Sequence, residues 1–230
     1  MTIHLHDLAL TGDVRPSPFC WHVRFALEHK GLDYITVPTS FAGIPRIAGG
    51  GHTTVPVIED RSPGSDARAV GDSWAIAEYL EAAYPKRPSL FEGARGLAYA
   101  RFMRNWLISA VRLPALKIIL LDIYNAVQPE EQAYFRTSRE QRFGMRLEDF
   151  TAGSRAEKIA ALRAALEPLR ATVKEQPFLS GAAPFYPDYL VAGYFLWWRA
   201  VSPARLLESD DPLTLWFDRL RAVYPRITAR

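Results

Sequence analysis

Residues 16–21 read Pro-Ser-Pro-Phe-Cys-Trp, and they carry the two side chains best suited to thiol chemistry. Ser17 stands where a helix N-cap belongs, and Pro18 fits the first helical position, where a missing N–H is harmless. A hydroxyl there can cap the helix or donate a hydrogen bond to an anion held at the helix start. Cys20 follows three residues later, the spacing of the second cysteine in a C-x-x-C pair, but the chain has no second cysteine. A thiol at a helix start can be acidified and turned nucleophilic. The alternative is a small buried hydrophobe. Phe19 and Trp21 pack or touch a ligand. Two further spots have chemical potential. Gly71-Asp72-Ser73 opens a helix, whose free amides and dipole suit a carboxylate. His52 follows Gly49-Gly50-Gly51 on a loop.

The bulk properties narrow the field. The chain has 230 residues, long for one compact domain and comfortable for a small one plus a larger one. It is 49% hydrophobic and 23% charged, as a globular protein is. A net charge of +3, without long charge blocks, argues against a nucleic-acid binder. A lone cysteine excludes an internal disulfide and a cysteine-based metal site. No signal-peptide pattern opens the chain, and no apolar run reaches membrane-spanning length. The expected compartment is the cytoplasm.

Periodicity places these residues on elements. Strands are expected at 2–7, 34–37, 55–59 and 69–70. A helix follows Ser17 and stops near Gly31, a short one covers 41–47, and another runs from Ser73 to the stop at Pro85. Residues 61–68 read as a loose hairpin turn. Strand–helix–strand with short connections implies a parallel unit. The order βαβ then ββα is that of a thioredoxin-like domain, over 1–84. Pro85-Lys86-Arg87-Pro88 begins a stiff linker, 85–93. Beyond it, 94–230 reads as all helix. Helices are expected over 94–124 (bent at Pro114), 130–147, 154–174 (Ser154 and Glu157 forming a capping box), 187–201 and 212–223.

A thioredoxin-like half joined to a helical half resembles the glutathione transferases, Ser/Cys type, over the full chain. Three motifs carry the likeness: Ser17-Pro18-Phe19-Cys20-Trp21-His22-Val23-Arg24-Phe25-Ala26-Leu27, Thr54-Val55-Pro56-Val57-Ile58 and Gly71-Asp72-Ser73-Trp74-Ala75-Ile76-Ala77-Glu78-Tyr79-Leu80. Asp7-Leu8-Ala9-Leu10, Ile44-Pro45-Arg46-Ile47 and Val70-Gly71-Asp72-Ser73-Trp74 are most similar to the bacterial lignin β-etherase branch and related fungal enzymes.

The resemblance implies a glutathione-dependent transferase that needs no metal. Ser17 would stabilise the glutathione thiolate. A cis Val55–Pro56 bond would expose the Val55 backbone to the cysteinyl unit. Asp72 and Ser73 would take the γ-glutamyl end, and His52 and Thr54 the glycyl end. A hydrophobic, aromatic electrophile would lie between the halves, against Phe19, Tyr99, Met103 and Trp106, with aryl-ether cleavage as its specific form. A homodimer is implied, with neither nucleic acid nor membrane as partner. The rivals are a thiol oxidoreductase using Cys20 and a non-catalytic binding scaffold. One departure stands out. Phe185 occupies a helix cap where the family usually has Ser or Thr, with Asp188 three residues later.

Overall fold

The computed structural model describes residues 2–61 and 68–227. The first half contains β1 (Ile3–Leu8), α1 (Pro18–His29), β2 (Tyr34–Thr39), a 3-10 stretch (Phe41–Gly49), β3 (Val57–Asp60), β4 (Arg68–Gly71) and α2 (Ser73–Ala83). Its sheet runs β2-β1-β3-β4, with β1 and β2 parallel and β3 antiparallel to both neighbours. This is the expected thioredoxin-like order. Pro38 does not end β2, as the sequence suggested, but sits inside it. An edge strand tolerates this because a proline N–H is not needed on the open side. The expected hairpin turn falls mostly on 62–67, outside the described residues.

The second half is helical: α3 (Ala94–Leu107), α4 (Leu113–Ala126), α5 (Pro129–Phe143), α6 (Leu147–Phe150), α7 (Arg155–Ala165), α8 (Glu167–Glu175), α9 (Tyr186–Val201) and α10 (Pro212–Val223). Three expected helices are each broken in two. Between α3 and α4 the chain makes one π turn, Ile108–Arg112, which ends two residues before Pro114. A proline removes one rung of the ladder and crowds the carbonyl four residues back, and a wide turn absorbs both. Gly144 ends α5 at φ 68°, a left-handed stop that suits glycine. Pro168 stands in the first turn of α8, so the run from Ser154 breaks at Leu166. Ser154 does cap α7, accepting from the Glu157 amide at 3.3 Å.

The two halves meet where α1 lies on α9, which is buried along most of its length. Gly193 makes that approach possible. A Cβ there would stand 2.7 Å from the Pro18 carbonyl oxygen and 2.3 Å from the His22 ring. His22 Nε2 donates to the Leu190 carbonyl at 3.0 Å, and Phe25 stacks on Tyr189 with centroids 5.3 Å apart. Asp188 organises the N-terminus of α9. Its carboxylate accepts from the amides of Leu179 (2.7 Å), Ser180 (3.2 Å) and Phe185 (3.2 Å), and from Trp216 Nε1 (2.9 Å). Phe185 has no acceptor to give the first-turn amides, so only the returning half of a capping box is made. Burial still pushes the Asp188 carboxyl up, despite the donors that oppose the shift.

Candidate active site

Three chain segments with local backbone signals converge on one cavity of about 560 Å³. The first is the N-terminus of α1. Ser17 is extended, at φ −111° and ψ 112°, and its Oγ accepts from the Cys20 amide at 3.3 Å. Accepting that bond leaves the hydroxyl with a proton to donate. The second segment is Thr54-Val55-Pro56, before β3, where the Val55–Pro56 peptide is cis. The third is Asp72-Ser73, at the start of α2. Asp72 Oδ1 accepts from the amides of Trp74 (2.9 Å) and Ala75 (3.0 Å). Asp72 holds φ 71°, a left-handed conformation that costs a residue with a side chain on the order of 1–3 kcal/mol. Such strain persists only where the surroundings impose it. Here it turns the chain from β4 into α2 beside Ser17. The Ser73 carbonyl is tied to the helical half by the Tyr186 hydroxyl at 3.1 Å.

Ser17, Phe19, Thr54, Val55, Pro56, Asp72 and Ser73 all line this cavity. The other expected site residues lie elsewhere. The His52 ring lies against Gly71, where an added Cβ would stand 3.1 Å from Nδ1, and is not among the lining residues. Tyr99 donates to the Leu179 carbonyl at 3.3 Å and lines a separate hollow of about 330 Å³ beside Phe185. Met103 is buried in the core, and Trp106 packs against it. Past the π turn, α4 rather than α3 lines this cavity, whereas Arg104, Asn105 and Leu107 of α3 line an adjoining hollow of about 270 Å³ that also meets Phe19, Asp72 and Ser73.

The opposite wall therefore comes from residues not singled out in the sequence. Leu116, Leu120 and Ile123 come from α4, Phe135, Arg139 and Arg142 from α5, and Trp197 from α9. A signal existed, since 116, 120 and 123 share one helical face. So do 135, 139 and 142. Arg112, in the π turn, lies over the Phe19 ring at 5.1 Å.

Cys20 is close by but sealed. It is 1% exposed, and burial pushes its thiol well above the ordinary value, with the Asp7 carboxylate adding to the effect. Asp7 is itself held by Arg24 and, at 3.4 Å, by Arg15.

Sequence families match both halves of the chain. "Glutathione S-transferase, N-terminal domain" covers residues 16–83, and "Glutathione S-transferase, C-terminal domain" covers 98–221. A probable glutathione S-transferase of Oryza sativa subsp. japonica, GSTU6, is 26% identical, over 94% of this chain and 85% of its own length. The fold is similar to that of glutathione transferase GSTFuA2 from Phanerochaete chrysosporium, with a TM-score of 0.80 and 27% identity over 100% of both chains. It is also similar to CsGST83044 of Ceriporiopsis subvermispora, with a TM-score of 0.78 and 23% identity over 98% of this chain and 99% of that one. Among the described residues no helix is long and apolar enough to cross a membrane. The chain belongs to the glutathione S-transferase superfamily, and glutathione transfer is the general activity that membership carries.

Proposed function

We propose that Ser17 holds glutathione as its thiolate for attack on an aromatic electrophile seated against α4 and α5. The observation that carries this reading is the single cavity. It joins Ser17 at the α1 N-terminus, Val55 and the α2 N-terminus to a wall of apolar side chains and arginines. The Ceriporiopsis relative was crystallised in complex with glutathione, which supports the same ligand here. Glutathione's γ-glutamyl carboxylate suits the first-turn amides and hydroxyl of Ser73. Its ammonium suits the Asp72 oxygen that the cap does not use. The Val55 N–H and C=O suit its cysteinyl backbone, pairing as an added strand would. Thr54 lies toward the glycyl end.

The energetics are sufficient. A free thiol titrates near ~8.5, and moving it down two units takes about 2.7 kcal/mol. A hydrogen bond to a charged sulfur supplies roughly 1.5–3 kcal/mol, and a helix N-terminus about 0.3–1. The thiolate then forms a carbon–sulfur bond while the leaving group departs with its bonding pair. In the form we propose as most specific, the leaving group is the phenolate of an aryl ether. The burial of Cys20 counts against the thiol-oxidoreductase alternative.

Ultraviolet titration of bound glutathione tests this. The thiolate is expected to form about two units below the free thiol in the wild type, and near the free value in Ser17→Ala. An unshifted thiol in the wild type overturns the reading.

A further inference from the structure

The cleft's far wall combines apolar side chains with three arginines that have no carboxylate partner among the described residues. Arg112 and Arg142 make no ion pair, and Arg139 only donates to the Ser138 hydroxyl, at 2.8 Å. Arg136, one turn earlier on the same helix, shows the contrast. It is paired with Glu140 and Glu148, both at 2.9 Å. Position 136 takes carboxylates from its own chain, and the cleft positions take none. Among the described residues Asp72 is the one acidic side chain on the cavity lining, and its carboxylate caps α2.

Two of the three cleft arginines are also held in place, while Arg142 is exposed. Arg139 lies over Phe135 at 4.6 Å and Phe41 at 5.1 Å, and Arg112 over Phe19 at 5.1 Å. Stacking fixes the plane of a guanidinium and leaves its edge donors for a ligand. Burial, with the Arg142 charge adding to it, weighs against both the Arg112 and Arg139 cations. Positions 139 and 142 share a helix face, where like charges repel. An incoming anion relieves each of these costs.

We propose that this cleft selects aromatic substrates bearing an acidic group, a carboxylate above all, with the ring against Leu116, Leu120 and Phe135 and the anion on Arg139 and Arg142. Arg112 adds a third positive charge on the Phe19 side. The proposal rests on the glutathione-transfer reading for turnover, but not for binding. Glutathione also carries a carboxylate at its glycyl end, so the test separates the two sources.

The probes are 4-chloro-3-nitrobenzoate and 4-chloro-3-nitrobenzamide, which share a ring and differ in charge. Calorimetry on the full chain without glutathione measures binding alone. The benzoate is expected to bind at least about tenfold tighter than the benzamide, and added salt is expected to narrow the gap. Arg139→Gln/Arg142→Gln is expected to close the gap, and Arg139→Lys/Arg142→Lys to keep much of it. Equal binding of the two probes by the wild type overturns the proposal and needs no variant. So does a gap that survives in the Gln variant. Loss of glutathione affinity in the Gln variant, with the probe gap intact, also overturns it and assigns the arginines to glutathione.

Turnover is the separate arm. With glutathione, the thiolate sulfur bonds to the ring carbon that bears chlorine, and chloride leaves with the bonding pair. If neither ring turns over while the benzoate preference holds, the transferase reading falls and the anion site stands.

Discussion

Ser17 and Cys20 sit one turn apart at the same end of α1, and their surroundings are opposite. Ser17 has left the helix. Its extended backbone carries the side chain back over the first turn, at the edge of the cavity. Cys20 is inside the helix, pressed toward the Asp7 and Leu8 end of β1 and closed to the cleft. The flank continues the sealed side, with His22 against α9 and His29 against Tyr189 and the Ser89 carbonyl. Proximity to a helix N-terminus therefore does not by itself make a reactive group. The side of the turn facing the cavity decides whether a polar atom meets a ligand or a core.

The largest effect expected from breaking this contrast is at Ser17. Removing a hydrogen bond to a charged sulfur costs roughly 1.5–3 kcal/mol, so Ser17→Ala is expected to lose about 10–150-fold in kcat/KM. The same change removes the α1 cap, at about 1 kcal/mol of stability. Ser17→Thr, which keeps both roles, separates the two losses. Unchanged turnover in Ser17→Ala would return Ser17 to a purely structural role.

Gly193→Ala attacks the contrast from the sealed side. The added Cβ meets a backbone oxygen and a ring, neither at the far end of a flexible side chain, so α1 and α9 must separate. Overpacking of this kind costs about 1–3 kcal/mol, read as a lower denaturant midpoint. Turnover is expected to fall with it, because Ser17 rides on α1. Wild-type stability would show that the two helices have slack the packing does not reveal.

The residues at Ser17, Val55-Pro56 and Asp72-Ser73 were legible because each is marked by a local backbone device. These are a cap followed by proline, a proline entering a strand, and a Gly-Asp-Ser turn into a helix. Such devices act over a few residues and survive in one sequence. The far wall was not legible. The residue spacing of 94–124 allows several apolar faces, and tertiary packing chooses among them. Tyr99, Met103 and Trp106 were reasonable on pattern, but the π turn before Pro114 and the packing on α9 give the cleft to Leu116, Leu120 and Ile123. His52 failed to reach the cavity for a similar reason. Its ring found the bare surface of Gly71, a contact between a loop and β4 that no local pattern signals.

The sealed flank also has a pH signature. Burial lowers His22 to about 3, and His29 shifts in the same direction, chiefly through burial. Below 6.5 the unfolded chain takes up protons that the folded chain refuses. Stability therefore falls as pH drops from 6.5 toward 3, by about 1.4 kcal/mol per unit for His22, and His29 adds to the fall in the same direction. Denaturant midpoints across that window measure the slope, and His22→Gln is expected to reduce it by one proton. A flat acid limb would mean that water reaches the α1–α9 seam.

Cys20→Ala is expected to have the smallest effect, and it sharpens the comparison most directly. The thiol makes no contribution to the cleft lining, and its raised pKa leaves almost no thiolate at neutral pH. Replacing it removes one buried atom beside Asp7, a loss of about 1 kcal/mol. Glutathione turnover is expected to stay within about twofold of wild type, as the core position implies. Iodoacetamide is likewise expected to leave Cys20 unmodified in the native protein and to label it once the chain is unfolded, because alkylation needs both a thiolate and a path to it. Rapid labelling of the folded chain, or turnover lost in Cys20→Ala alone, would exchange the roles of the two residues and make the buried side of the turn the reactive one.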